Sequence, residues 1–122
     1  LNVKKIKKII NFGTMMQHYN NRKYNPQNFY SATKESFLKN NVFFKKIFLK
    51  TKFYNLKLHD TYGENDKRIK IIPMLAKCYK NSSIFNLTSK KLSLNILHVD
   101  DVTHAIHLII EKNIKEDNYM IY

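Results

Sequence analysis

The chain has 122 residues, 43% of them apolar, which suits one domain with a core and excludes both two full domains and a disordered chain. Twenty-two Lys and Arg stand against nine Asp and Glu, a net charge of +13. Two glycines, Gly13 and Gly63, and one cysteine, Cys78, exclude a glycine-rich phosphate loop, an internal disulfide and a cysteine-based zinc site.

Lys8 to Phe12 (KIINF) is a short apolar run that reads as a buried strand ending at Gly13-Thr14. Residues 15–29 are polar, rich in Asn and hold Pro26, the marks of a loop. From Tyr30 to about Leu49 no Gly or Pro occurs. Phe37, Leu38, Val42, Phe44, Ile47 and Phe48 recur there at helical spacing, which predicts a long helix with Asn28 as a cap. Phe53 to Leu58 alternates Tyr54, Leu56 and Leu58 and reads as a second strand. His59 to Arg68 is a polar loop around Gly63. Ile72, Leu75, Ala76 and Tyr79 form the stripe of a helix that tolerates Pro73 in its first turn. Cys78 on that helix reads as a small core residue. Ile84 to Leu87 reads as a short strand and Leu94 to Val99 as another extended stretch. Asp100-Asp101 opens a helix with Val102, Ala105, Ile106, Ile109 and Ile110 as its apolar stripe. Asn118 to Tyr122 begins a further strand. Strand and helix alternate, which argues for an α/β sheet.

The basic charge carries little functional weight. Lys, Asn and Ile number 20, 15 and 14, and all three have AT-rich codons. The lysines are also scattered, whereas nucleic-acid binders gather them on one face among stacking aromatics. The expectation is therefore a protein with no nucleic-acid partner. No apolar run reaches the roughly 18 residues of a membrane span. With a lone cysteine, that suggests a soluble cytoplasmic protein. His104 and His107 stand three apart with no third ligand in view, so no metal is expected.

Tyr30-Ser31-Ala32-Thr33-Lys34 is a Y-x-x-x-K element. On a helix its two ends share a face. An ammonium beside a phenol favours the phenolate, which can then act as a general base. Taken alone, the five residues are a weak pattern, more simply read as a surface pair at i, i+4. The neighbouring segments decide between these readings. Gly13-Thr14 ends a strand, Tyr30 follows 16 residues later, and KLHDTYG and HVDDV come after it. In this order the segments resemble the extended short-chain dehydrogenase/reductases of the NAD-dependent epimerase/dehydratase type. The stretch GTMMQHYNNRKYNPQNFYSATKESF is most similar to reductases and epimerases that make deoxyhexoses on a CDP carrier.

That resemblance spans about residues 8 to 122 and implies the C-terminal part of a Rossmann-like, doubly wound parallel sheet with part of a substrate domain. Residues 1–122 would then be a partial domain lacking the first dinucleotide-binding half. The resemblance makes Tyr30 the catalytic acid/base and Lys34 the residue that tunes it and holds the nicotinamide ribose. It makes Thr14 the hydroxyl that orients the sugar, with Met15 as the rival for that position if one counts back from Tyr19. Asp60, where relatives commonly carry Asn, and Tyr62 match the loop near sugar and nicotinamide. Asp100 and Asp101 match a helix start near the substrate, or simply cap that helix. Relatives bind the diphosphate with an Arg where Leu94 stands, and Arg68, Lys70 or Lys90 would replace that charge. The implied cofactor is NAD or NADP, although the pyrophosphate-binding turn is absent from this chain. The implied substrate is a nucleotide sugar. The implied partners are a separately encoded N-terminal half and, for the complete enzyme, a second copy in a homodimer. Alone, such a piece would expose a sheet edge and be poorly stable. The competing expectations are a non-catalytic remnant of such an enzyme and a basic binder of nucleic acid or membrane surfaces.

Overall fold

A computed structural model describes residues 6–87, 89 and 93–122. Strand β1 (Lys8–Thr14) runs into two short 3-10 turns, and helix α1 spans Phe29–Ile47. Strand β2 (Lys52–Leu58) is followed by β3 (Asp60–Tyr62), α2 (Ile71–Lys80), β4 (Ile96–His98), α3 (Val99–Glu111) and β5 (Asn118–Ile121). The strands form two parallel sheets, ordered β1-β2-β5 and β3-β4.

Register fixes which side chains share a face. Lys8 pairs with Lys52 and Thr14 with Leu58, while Asn55 faces Asn118 and Leu58 faces Ile121. One face of the larger sheet therefore carries Ile10, Phe12, Tyr54, Leu56, Leu58, Tyr119 and Ile121. These pack with Ile106 and Ile109 of α3 and with Ile114 to form the core. The Tyr54 hydroxyl donates to the Ile114 carbonyl at 3.0 Å, so the largest core side chain keeps its polar end satisfied. Lys8 closes the end of α3: its ammonium donates to the carbonyls of Ile109 (2.5 Å), Ile110 (2.8 Å) and Lys112 (3.2 Å). Those carbonyls lack helical partners, and a cation there also complements the helix dipole.

The opposite face of the sheet mixes Asn11, Asn55 and Lys57 with Ile9 and the buried Phe53, and lies under α1. Ser31, Glu35 and Asn41 are the buried residues of this helix. Asn11 donates to Asn55 across the β1-β2 pair at 2.5 Å. Asn28 caps α1, its side chain accepting from the Ser31 N–H at 2.9 Å while the Ser31 hydroxyl accepts from the Asn28 N–H at 3.1 Å. The helix is where its spacing predicts, but its apolar stripe is not the buried side. Phe37, Val42, Phe43, Phe44 and Ile47 are exposed.

Other expectations need correction. Asp60–Tyr62 is a strand rather than part of a polar loop, because β4 lies alongside it: Asp60 pairs with Ile96 and Tyr62 with His98. Ile84 to Leu87 forms no strand, and Ile84 is 88% exposed. The helix over 71–80 forms, yet none of its residues is buried, and Tyr79 of the expected stripe is exposed. Cys78 is half-buried rather than in the core. Among the described residues no helix is long and apolar enough to cross a membrane.

Candidate functional site

The parallel strands β1 and β2 end side by side at Thr14 and Leu58. Beyond them opens a cleft of about 360 Å³ lined by Thr14, Met15, Met16, Leu58, His59, Asp60, Ser93, Leu94 and Asn95. Its place, outside the carboxyl ends of parallel strands, is where open α/β sheets hold their ligands. Thr14 and its rival Met15 both reach the cleft. Thr14 offers the hydroxyl, which accepts from the Met16 N–H at 3.3 Å.

Asp60 shares the cleft with Thr14 and is ion-paired with the Lys70 ammonium. His59 stands between Leu58 and Asp60 on the same wall, and burial pushes its imidazole below the usual value. Its ring meets that of Tyr122 edge-on, with centroids 6.1 Å apart. Sequence reasoning placed His59 in a loop and gave it no role. Its position one residue before Asp60 was the available signal.

Tyr30 and Lys34 occupy one side of α1. The Lys34 ammonium lies 5.6 Å from the centroid of the Tyr30 ring, and Tyr30 is half-exposed. They are not among the cleft walls. Two links join their helix to the strand end. Asn28, the α1 cap, donates to the Met16 sulfur at 3.8 Å. Gln17 accepts from the Thr14 N–H at 2.8 Å and donates to Glu35 of α1 at 2.5 Å. Glu35 also pairs with Lys39 at 3.5 Å. Lys57, next to this group, sits 2.5 Å from the His18 ring. Burial lowers the Lys57 ammonium from its ordinary value, and the Glu35 carboxylate partly offsets this.

The remaining sequence candidates are held elsewhere. Tyr62 packs edge-on against His98, centroids 5.0 Å apart. Arg68 is a fork onto the Asp66 carboxylate, at 2.7 and 2.6 Å, and also donates to the Thr61 carbonyl at 2.9 Å. That grip holds the Asp66 carboxyl at about 2 and leaves Arg68 engaged within its own loop. Lys90 lies outside the described residues. The His98 ring, rather than either aspartate, caps α3 by accepting from the Asp100 N–H at 3.3 Å. Among the described residues no three His, Cys, Asp or Glu gather as metal ligands.

The family model described as "NAD dependent epimerase/dehydratase family" matches residues 7–122. A CDP-abequose synthase of Salmonella muenchen is 29% identical over 108 residues, which are 88% of this chain and 35% of that protein. The chain thus spans about a third of the length of that curated relative. The fold is that of a UDP-glucose 4-epimerase of Thermotoga maritima, solved with UDP-glucose. The TM-score is 0.80 at 19% identity, over 98% of this chain and 43% of that one. A dTDP-glucose 4,6-dehydratase of Bacillus anthracis, solved with NAD, superposes with a TM-score of 0.75 at 19% identity, over 93% of this chain and 40% of that one.

Proposed function

The chain belongs to the NAD-dependent epimerase/dehydratase family, and from that premise we propose that it is the catalytic half of a nucleotide-sugar epimerase, dehydratase or 4-ketoreductase. The observation that carries this reading is Tyr30 and Lys34 on one side of α1, with the Lys34 ammonium 5.6 Å from the phenol ring, in a chain whose strand end presents Thr14.

The residues present fit one end of a nicotinamide dinucleotide. Tyr30 is half-exposed, and Lys34 beside it offers an ammonium that can donate to ribose hydroxyls. The glycine-rich turn that would receive the pyrophosphate is not in this sequence. When bound, NAD or NADP supplies the hydride acceptor and donor. The chain does the rest. Tyr30 Oη takes the proton from the sugar hydroxyl whose carbon is oxidised, and returns it on reduction. The Lys34 charge stabilises the phenolate that takes this proton, and the Thr14 hydroxyl orients the same sugar oxygen. Asp60 and Tyr62 stand on β3, and Asp60 joins Thr14 in the cleft.

Two features support the proposed partners. Among the described residues β1 has a strand on one side only, which leaves an edge for a parallel strand of a dinucleotide-binding half. The outward Phe37, Phe43, Phe44 and Ile47 of α1 give the complete enzyme an apolar helix face for a homodimer.

The test joins this chain to a dinucleotide-binding half, by co-expression or fusion, and assays it with CDP- and other nucleotide-linked hexoses. Turnover is expected, and Tyr30→Phe lowers it by about 10²-fold or more, the contribution of a general acid/base. Lys34→Ala also lowers it, and Lys46→Ala at the end of α1 leaves it near the parent. A joined protein that binds NAD and the nucleotide sugar without turnover would assign the chain as a non-catalytic remnant. Full turnover by Tyr30→Phe would overturn the acid/base role.

A further inference from the structure

We infer that Gln17 is a positioning residue, which with Glu35 sets the Thr14 hydroxyl relative to Tyr30 and Lys34; this rests on the site reading above. Gln17 lies in what the sequence presents as a polar loop, yet it has no solvent exposure at all. A buried amide is costly unless its hydrogen bonds are made, and here both ends of the carboxamide are used. Its oxygen accepts from the Thr14 N–H at 2.8 Å, and its nitrogen donates to Glu35 Oε2 at 2.5 Å.

Those two bonds join the two elements that carry the site. Thr14 is the last residue of β1. Glu35 follows Lys34 directly and points to the buried side of α1 while Tyr30 remains half-exposed. Beside the Asn28–Met16 contact, Gln17 therefore ties Thr14 itself to the catalytic helix, with Glu35 as its anchor. Gly13 completes the arrangement. A Cβ at that position would lie 2.7 Å from Gln17 Oε1, so the carboxamide occupies space that only glycine leaves free. Neither Gln17 nor Glu35 lines the cleft, so their effect on substrate passes through Thr14, Tyr30 and Lys34.

Two measurements test this. In the 122-residue chain, amide hydrogen exchange reads the Thr14 N–H directly. Gln17→Met, which keeps volume and removes both bonds, is expected to speed Thr14 exchange at least tenfold while α3 amides stay protected. Glu35→Gln keeps an acceptor for Gln17 Nε2 and is expected to leave Thr14 exchange near the parent. In the chain joined to its dinucleotide-binding half, Gln17→Met is expected to lower kcat by about 10- to 100-fold, the scale of a misplacement near 1 Å. KM should stay within about twofold. Glu35→Ala should match Gln17→Met, the double variant should be no worse than either, and Glu35→Gln should restore kcat.

Parent-like kcat in Gln17→Met, with Tyr30→Phe inactive in the same protein, would overturn the positioning role and leave the site reading intact. If Tyr30→Phe remains active, the site reading itself fails. If Gln17→Met does not fold, Glu35→Ala decides alone: parent-like kcat there overturns the role, and a 10- to 100-fold loss restored by Glu35→Gln supports it.

Discussion

Replacing Gly13 by Ala adds one methyl group against side chains already packed between β1, β2 and α1. The new carbon would sit 2.7 Å from Gln17 Oε1, 3.1 Å from Lys57 Cγ and 3.4 Å from Asn55 Nδ2. Backbone conformation is not the obstacle, because Gly13 does not have a positive φ. A contact with the tip of a flexible side chain is ordinarily relieved by a rotation. Gln17 cannot rotate freely, since it is fully buried and bonded at both ends of its carboxamide. Moving it breaks one bond to a backbone N–H, worth about 1 kcal/mol, and one to a carboxylate, worth about 1.5–3 kcal/mol. Replacing glycine in a strand returns about 0.5–1 kcal/mol of chain entropy. The net expectation is a loss of about 1.5–3.5 kcal/mol, or a fall in Tm of roughly 6–14 °C at this length. Thermal and urea unfolding followed by circular dichroism measure it. Gln17→Ala removes the obstructing amide, so Gly13→Ala added to Gln17→Ala should cost almost nothing further. A Gly13→Ala single variant as stable as the parent, or more so, would refute the claim that Gln17 is rigidly held.

Two further outcomes follow from the same structure. Lys8→Met should lower stability by about 1–2 kcal/mol in urea unfolding, and raise amide exchange in the last turn of α3, because three terminal carbonyls lose their donor. Asp66 falls from an ordinary value of 3.8 to about 2 in the fold, so its contribution is complete above pH 3.8 and is lost as the pH falls through about 2. Asp66→Asn should therefore flatten the acid limb of the stability curve in that window and leave the rest of the curve's shape unchanged.

The sequence was most legible where local and tertiary demands agree. Gly13-Thr14 marked the end of β1, Asn28 the start of α1, and the stripe through Val102, Ile106 and Ile109 the inner side of α3. It failed where a neighbour distant in the chain decides. Asp60 disfavours a strand and Thr61 and Tyr62 are too short a run to mark one, so pairing with Ile96, Leu97 and His98 decides it. Ile84 and its neighbours have strand composition but, among the described residues, no strand beside them. The inner side of α1 was illegible for a related reason. Periodicity locates apolar residues, and here the buried side is Ser31, Glu35 and Asn41, with Ser31 bonded to Asn28 and Glu35 to Gln17. Of the proposed site, Tyr30, Lys34 and Thr14 are singled out by motif and resemblance. Gln17 and His59 are not, since a polar residue in a polar segment gives no pattern until burial is known.

Among the described residues β1 is paired on one side only, and the proposed partner strand there would bear on how much of this protein a cell can hold. A chain whose edge is completed by a partner strand has a stability that depends on that partner's concentration, increasing as RT ln(1 + [L]/Kd). At a hundred times Kd this adds about 2.7 kcal/mol, a large share of the 5–15 kcal/mol typical of a domain. Below Kd the gain vanishes, and an unpaired edge offers itself to other edges and to proteases. Steady-state abundance would then follow the supply of the partner rather than the rate at which this chain is made.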